Sequence, residues 1–295
     1  MRIHGDFQKG SGRLRSAMAP RYMLGVLLAA SGLLVGQRII NPPEVHAETT
    51  DATLHFRSGT ITPGNPNAYN RAIGTPRNWR FYVANATLDA VLEYAYDIQL
   101  RQIVGGPDWM DKDKFNMAAV PGEPVQPTEA QWHIMVQHFL ADRFKLSLHH
   151  ETRRIPVYWL SVATGGPKFI KNESGRVLHP FIETDVPGGV MLHITNGTVR
   201  DFINIMQRTA MDRPIVDQTE MADRYDFSLW WEPGKDQFTG SYHWTPSPSQ
   251  NRLPDLYTAM QDQLGLTLEP SEADVDVLVI DHVEKPLMEP GAQSR

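Results

Sequence analysis

The sequence predicts an α+β protein made of two pseudo-repeated β-α-β-β-α-β-β modules, with helices packed on a mixed β-sheet. Three matches between distant segments predict the repeat. Residues 85–89 (Asn-Ala-Thr-Leu-Asp) match residues 196–200 (Asn-Gly-Thr-Val-Arg), residues 104–117 lie over residues 216–229 without a gap, and residues 146–148 (Leu-Ser-Leu) recur as residues 266–268 (Leu-Thr-Leu). We therefore expect the same buried stripes and the same strand order in both halves.

The first helix of each module is predicted from its apolar spacing. Strands are expected at residues 52–57 and 79–84, separated by a loop at residues 60–77 that is rich in Gly, Pro and Asn. In the helix that begins after Thr87, the apolar stripe is Leu88, Val91, Leu92, Ala95 and Tyr96. In the second module, Thr198 and Asp201 predict a capping box, and the matching stripe is Val199, Phe202, Ile203 and Met206.

The later elements follow the same order in both modules. Strands are predicted at residues 114–119 and 225–231, where Tyr225, Phe227, Leu229 and Trp231 alternate onto one face. The second helix opens with a capping box, Thr128 to Gln131, and buries Trp132, Met135, Val136, Phe139 and Leu140. Its counterpart runs from Pro254 and buries Leu256, Met260 and Leu264. A hairpin is expected to close each module, pairing residues 146–150 with 155–163 and residues 266–269 with 275–283.

The domain organisation follows from these elements. Residues 53–163 form the first module, and residues 190–283 form the second, which carries an irregular insert at 232–252. Residues 164–189, rich in Gly, Pro and charge, are predicted to be a linker. Residues 284–295 are predicted to be a flexible tail.

The first 47 residues have the layout of an export signal. A basic stretch precedes an apolar run at residues 22–36, and Val45, His46 and Ala47 place small residues at the positions that a signal peptidase requires. The run is shorter than the roughly 20 residues that span a bilayer comfortably. We predict a signal peptide and a periplasmic or extracellular protein. The alternative is an uncleaved signal anchor, in which residues 22–37 hold the chain at the inner membrane.

Composition excludes several classes of function. Residues 1–47 contain six basic and two acidic side chains, so of the 28 basic and 34 acidic residues the rest of the chain keeps 22 and 32, a net charge of −10. Such an acidic body argues against nucleic-acid binding, which needs a basic face to meet phosphates. The chain contains no cysteine, which excludes thiol nucleophiles, Cys-based zinc sites and iron–sulfur clusters. We predict no cofactor.

Metal and calcium motifs are incomplete. The histidine-rich set is His133, His138, His149, His150 and Glu151. Its spacing does not place two histidines on one helical face, so we predict no metal site. Asp111 and Asp113 resemble the start of a calcium loop, but Phe115 occupies the next ligand position.

Three segments match the N-glycosylation pattern, at Asn85, Asn172 and Asn196. Two of them lie at equivalent helix starts, where Asn and Thr can satisfy free backbone N–H groups. We therefore expect a capping role for Asn85 and Asn196.

An aromatic set surrounds the insert and is the candidate binding surface. Its members are Trp230, Trp231, Phe238, Tyr242 and Trp244. If exposed, these rings could anchor a protein partner. The alternative is that they fill the core while the insert packs over the sheet.

Several segments together resemble an uncharacterised exported family, a domain of unknown function found in soil bacteria of the acidobacterial type. They are residues 81–96, 105–109, 140–146, 224–227 and 279–286. The resemblance covers roughly residues 53–286 and implies export and a shared fold, but no reaction. More weakly, each half is similar to the short N-terminal domain of secretins and TonB-dependent receptors. That similarity implies partner binding in the cell envelope.

Two functions remain open at this point. The first is a non-catalytic envelope protein that binds a protein or peptide, either by strand addition at a sheet edge or on the aromatic set. The alternative is a hydrolase acting on a cell-wall or polymeric substrate. Its candidate acids and bases are Asp108, Asp142, Asp223, His138 and His150. The sequence contains neither the motif of a serine nucleophile elbow nor a phosphate-binding glycine loop. No catalytic residue is therefore predicted.

Overall fold

The computed structural model describes residues 54–68, 71–74, 80–122, 127–238, 244 and 252–288. All of them belong to one unit, Thr49–Arg295. The predicted leader, residues 1–47, lies outside the described residues. Among the described residues, no helix has both the length and the apolar character needed to cross a membrane. The mixture of helices and sheets is that of an α+β protein, as the sequence predicts.

The first sheet contains β1 (Phe56–Pro63), β2 (Ala72–Gly74), β3 (Phe81–Ala86) and β5 (Phe115–Pro121). Its strand order is β1-β5-β3-β2, and all neighbours are antiparallel. Helices α1 (Leu88–Tyr96) and α3 (Glu129–Phe144) share one core with it, and the short helix α2 (Trp109–Lys112) adds Met110. The predicted stripes of α1 and α3 are buried, except that Tyr96 is only partly so.

Another outer sheet contains β7 (Ile170–Lys171), β8 (Leu178–Val186), β9 (Gly189–Gly197) and β11 (Tyr225–Trp231). Its order is β7-β11-β9-β8, again antiparallel throughout. Helix α4 (Val199–Thr209) and helix α5 (Leu256–Ala259) pack on it, and α5 continues into a π-helical turn, Met260–Leu264. The alternation predicted for β11 is confirmed, because Phe227, Leu229 and Trp231 are almost fully buried.

The remaining sheet joins the two halves of the chain. It contains β4 (Ile103–Val104), β6 (Ser147–Val162), β10 (Ile215–Asp217) and β12 (Leu266–His282), in the order β10-β6-β12-β4. The long strands β6 and β12 are antiparallel partners along their whole length. Strand β4 runs parallel to β12, and β10 runs parallel to β6. Each half therefore supplies a short strand to the long strand of the other half.

The two predicted hairpins are wrong. β6 is one strand of 16 residues and β12 is one strand of 17, and they pair with each other rather than folding back. The middle of the paired strands β6 and β12 is polar on both faces. In the sequence, such a polar stretch resembles a turn. Cross-strand pairs satisfy it instead, including His150 to Asp276 at 2.7 Å and Arg154 to Glu272 at 3.2 Å.

The Asn-x-Thr segments form β-bulges rather than asparagine caps. Asn85 and Asn196 adopt left-handed backbone angles, with φ of 50° and 53°, and each lies where the register of its strand pair shifts by one residue. The Asn85 N–H donates to Asn116 Oδ1 at 3.0 Å, and the Asn196 N–H donates to Asp226 Oδ1 at 2.8 Å. The expected asparagine capping is therefore wrong. The threonine prediction holds at Thr198, where the capping box is present, but the Thr87 side chain makes no capping bond.

The gapless match of residues 104–117 over 216–229 is displaced in its second part. Met117 pairs with Val83, and Phe227 pairs with Ile194. These pairs occupy the same place relative to the two bulges, so Met117 corresponds in position to Phe227 rather than to Leu229. The shift arises because the connection from β4 to β5 is longer than the connection from β10 to β11.

Two predicted irregular segments contain strands. Residues 164–189 include β7, the whole of β8 and the first residue of β9. The loop predicted at residues 60–77 includes the end of β1 and the whole of β2. Glycine and proline flank these strands, so composition favoured a loop although backbone pairing makes them edges of sheets. The start of the predicted tail is fixed as well, since the Glu284 N–H donates to the Phe144 carbonyl at 2.7 Å and Lys285 lies 2.6 Å from Asp113.

Candidate functional site

A cleft of about 1150 Å³ lies where the helices of the two halves meet. Its floor is formed by α1 and α4, and the first half of α3 forms one side. Two edge strands from different sheets, β2 and β8, complete the rim through Ile73, Gly74, residues 180–182 and Thr184. We call this the interhelical cleft. A second cavity of about 500 Å³ shares Arg71, Ala90, Glu93 and Arg208 with it.

Glu93 is the most deeply buried acid of the cleft. Its Oε1 accepts the Leu100 N–H at 2.9 Å, and its Oε2 lies 3.8 Å from Arg71, whose side chain is only 7% exposed. Burial raises the pKa of Glu93 to about 7, because desolvation outweighs the attraction of Arg71 and the bond from Leu100. One turn earlier on α1, burial and the charge of Asp111 raise the pKa of Asp89 to about 6. A carboxyl group in this cleft therefore titrates near neutral pH.

A polar network holds α1 against α4. Asp97, at the left-handed end of α1, accepts a hydrogen bond from Asn204 Nδ2. Arg208 NH1 lies 3.6 Å from the other carboxylate oxygen of Asp97. The adjoining buried side chain of Gln99 donates to the Met211 carbonyl at 3.3 Å. Because these bonds join residues from both halves, the network fixes the spacing of the two helices.

Two polar side chains lie against the ring of Tyr94. The guanidinium of Arg208 lies 6.0 Å from the centre of the Tyr94 ring, and the His133 ring meets Tyr94 edge-on at 5.0 Å. Burial raises the pKa of the Tyr94 hydroxyl well above its usual range and lowers the pKa of His133. At neutral pH the site therefore holds a charged guanidinium, a neutral phenol and a neutral imidazole.

The aromatic set predicted from the sequence does not form one exposed surface. Trp231 and Phe238 are buried and stack in the core at 6.2 Å. Trp230 points away from that core and is 37% exposed, while Trp244 donates to the Gly189 carbonyl at 3.3 Å. Tyr242 lies outside the described residues. Of the four described rings, Phe238 alone lines the interhelical cleft.

The acids and histidines proposed for a hydrolase mostly make local contacts of their own. Asp108 pairs with Lys112, Asp223 with Lys171 and His150 with Asp276. The ring of His138 contacts the Leu54 carbonyl, and Asp142 is exposed on α3. These five residues line neither the cleft nor the second cavity, so neither cavity supports the hydrolase alternative. Within the described part of the chain, no group of three potential ligands is placed to hold a metal ion.

The sequence did not single out the residues that do meet in the cleft. They are Arg71, Glu93, Tyr94, Asp97, Asn204 and Arg208, and they join His133, which the sequence marked only as a metal candidate. Their side chains offer hydrogen-bond donors and acceptors beside aromatic and aliphatic walls from Trp132, Phe181 and Ile182. Large apolar clefts with a few converging polar groups and shifted pKa values are the usual form of a binding site.

Comparisons with known proteins identify a family. A family model described as "Protein of unknown function (DUF3738)" matches residues 89–283. The match covers α4 and all but the first residue of α1, the two helices that form the floor of the cleft. No curated protein and no solved structure matches the chain.

Proposed function

Because the chain belongs to the DUF3738 family, a family described as a protein of unknown function, we propose a function from the geometry of the cleft: the protein binds an extended peptide segment there, without catalysing a reaction on it. The observation that carries the proposal is the pair of edge strands, β2 and β8, that border one cleft. Extended peptides bind by adding to such edges while their side chains enter neighbouring pockets.

The walls of the cleft suit a peptide better than a small metabolite. Its volume of about 1150 Å³ lies above the range of about 300–1,000 Å³ that is typical of small-molecule pockets. Phe181, on β8, is 51% exposed at the rim, although large apolar side chains usually avoid solvent. An exposed ring beside a strand edge that pairs with no other described strand gives an arriving peptide both an apolar contact and backbone partners.

The proposal includes an internal duplication. Two observations support it. Equivalent strands follow the same order in both outer sheets, β1-β5-β3-β2 and β7-β11-β9-β8. Each sheet also carries an Asn with left-handed backbone angles at a bulge before a helix. The pairing of Ile103 with Leu278 also corresponds to the pairing of Ile215 with Tyr158. A cleft between two such modules would place similar edges, one from each copy, on either side of a ligand.

Export is part of the same proposal. The basic and apolar layout of residues 1–47 supports a periplasmic or extracellular protein, either released or held at the inner membrane. In that compartment the partner would be an envelope protein or a peptide. The proposed similarity of each half to the N-terminal domains of secretins and TonB-dependent receptors points to the same kind of partner.

Site-specific photocrosslinking tests the binding function. A benzoylphenylalanine at position 181 places the reactive group on the edge of β8 beside the cleft. The matched control is position 170, which is 77% exposed on β7 at the opposite edge of the same sheet. A displayed library of random 12-residue peptides is the probe. We expect enriched peptides that crosslink at position 181 and not at position 170.

Two results would count against peptide binding in the cleft. One is a library that yields no enriched sequence after repeated selection. The other is equal crosslinking at positions 181 and 170, which would indicate nonspecific binding to the sheet rather than binding in the cleft.

A further inference from the structure

The cleft contains a polar side-chain atom that is left unpaired in the described part of the chain. Nε2 of His133 is buried and has no hydrogen-bond partner among the described residues. A buried polar atom without a partner costs about 1–3 kcal/mol, so such atoms in a native structure require a specific explanation. His133 lies on the wall of the cleft, directly against Tyr94.

Arg208 has donors to spare in the same place. Its Nε donates to the Asn204 carbonyl at 3.1 Å, but the contact of its NH1 with Asp97 is 3.6 Å, longer than a hydrogen bond. Asp97 thus orients the guanidinium electrostatically without saturating it. The stacking of Arg208 on Tyr94 further limits its motion. A guanidinium fixed in this way presents a planar fork that matches a carboxylate.

The remaining charges favour a singly charged oxyanion over a phosphate. Four acids line the same cleft as Arg208 and His133: Glu93, Asp97, Glu129 and Asp201. A doubly charged phosphate would meet stronger repulsion from these acids than a carboxylate. A carboxylate also has two acceptor oxygens, enough to accept from Arg208 and from a second donor such as the Tyr94 hydroxyl or His133.

We infer that the cleft recognises a carboxylate of its peptide ligand, through Arg208 with Tyr94 and His133 as additional donors. The inference rests on the proposed function and specifies its chemistry. The carboxylate has two possible sources, the free C-terminus of the peptide or an acidic side chain within it. In both cases the adjoining apolar part of the ligand would lie against Trp132 and Ile182, which line the same cleft.

The test compares three fluorinated probes by ¹⁹F NMR line broadening on the full chain. The first is N-acetyl-4-fluorophenylalanine, which carries a free carboxylate. The second is its C-terminal amide. The third is N-acetyl-glutamyl-4-fluorophenylalanine amide, which carries its carboxylate on a side chain. We expect at least one of the two acids to bind about tenfold or more tightly than the neutral amide, as a charge-assisted hydrogen bond predicts. The acid that binds more tightly than the amide identifies whether the recognised carboxylate is a C-terminus or a side chain.

Matched variants assign the effect to Arg208. Arg208→Gln should remove the preference for the acid. Arg200→Gln, which removes the same charge from an exposed position on the same helix and cleft, should keep it. Tyr94→Phe deletes only the hydroxyl and should reduce the preference, so it serves as the second variant if Arg208→Gln does not fold.

The outcomes separate this inference from the proposed function. Equal binding of acids and amide by the wild type would overturn carboxylate recognition and leave peptide binding in place. Carboxylate recognition by Arg208 would also be overturned if Arg208→Gln and Arg200→Gln weakened the preference to the same extent. If none of the three probes binds, the inference fails, and the crosslinking experiment decides separately whether the cleft binds peptides.

Discussion

Replacing Glu93 by Gln tests the electrostatics of the cleft floor. Burial raises the pKa of Glu93 from 4.5 to about 7, so the folded protein binds this proton more tightly than the unfolded chain does. The stabilisation is complete below pH 4.5 and is lost as the pH rises through 7. At about 1.4 kcal/mol for each pKa unit, the wild type should lose about 3 kcal/mol of unfolding free energy across this window from Glu93 alone.

The amide side chain of the Glu93→Gln variant carries no titrating proton, yet its oxygen can still accept the Leu100 N–H. We therefore expect Glu93→Gln to flatten the fall in stability between pH 4.5 and 8. The pKa of Asp89 is also raised by burial. In the Glu93→Gln variant, Asp89 should therefore still cause a smaller loss of unfolding free energy as the pH rises. The assay is urea unfolding followed by tryptophan fluorescence at pH 4.5, 6 and 8.

The control for this prediction is Asp108→Asn. Asp108 is exposed, and its pKa is lowered by the hydrogen bond from Lys112, so it does not titrate within the window. Burial lowers the pKa of His133, so His133 changes the stability with the opposite sign in this window. The test is therefore the difference between each variant and the wild type. The reasoning would be refuted if Glu93→Gln kept the slope of the wild type and of Asp108→Asn.

Three further predictions concern the elements that shape the cleft, each measured as a change in unfolding free energy at pH 7. Thr198→Ala should cost about 1 kcal/mol by removing the capping box of α4, whereas Thr87→Ala should cost less because Thr87 makes no capping bond; equal losses would contradict this. Gly189→Ala should cost about 1–3 kcal/mol, because the new Cβ would overlap the Trp231 carbonyl oxygen. The control is Gly234→Ala, whose Cβ meets nothing closer than 3.9 Å and which should be nearly neutral. A Gly189→Ala variant as stable as Gly234→Ala would contradict the prediction and show that the strand pair shifts to make room. Asn196→Ala should be less stable than Asn196→Gly by about 1 kcal/mol, because the backbone is left-handed there; an Ala variant as stable as the Gly variant would show that the bulge relaxes.

The helices were predictable because their information is local. The stripes of α1 and α4 repeat every three or four residues, and every residue that the spacing selects is buried except Tyr96. The capping boxes at Thr128 and Thr198 are read from residues three apart. Strand β11 was equally clear, since its alternating residues face one core.

The pairing of β6 with β12 could not be read locally. Each strand has a polar centre that resembles a turn, and its partner lies more than a hundred residues away in the chain. The cleft was hidden for a similar reason. Glu93 and Asp97 lie in and just after α1 at polar positions that a single helix would present to water. In the fold Glu93 is buried, and Asp97 contacts Asn204 and Arg208 of α4. Sequence periodicity describes one helix at a time, so it cannot show that a polar face meets another polar face.

The exchange of short strands between the halves explains why the cleft can be a fixed site. Ile103 and Val104 leave the first half to pair with β12, and Ile215 to Asp217 leave the second half to pair with β6. Separating α1 from α4 would require these parallel pairs to break along with the bonds from Gln99 and Asn204. Such a cleft cannot open like a hinge between independent domains, and a ligand therefore meets Arg208, Tyr94 and His133 already in position. Preorganisation of this kind reduces the entropy lost on binding, which favours recognition of a flexible peptide whose own ordering is costly.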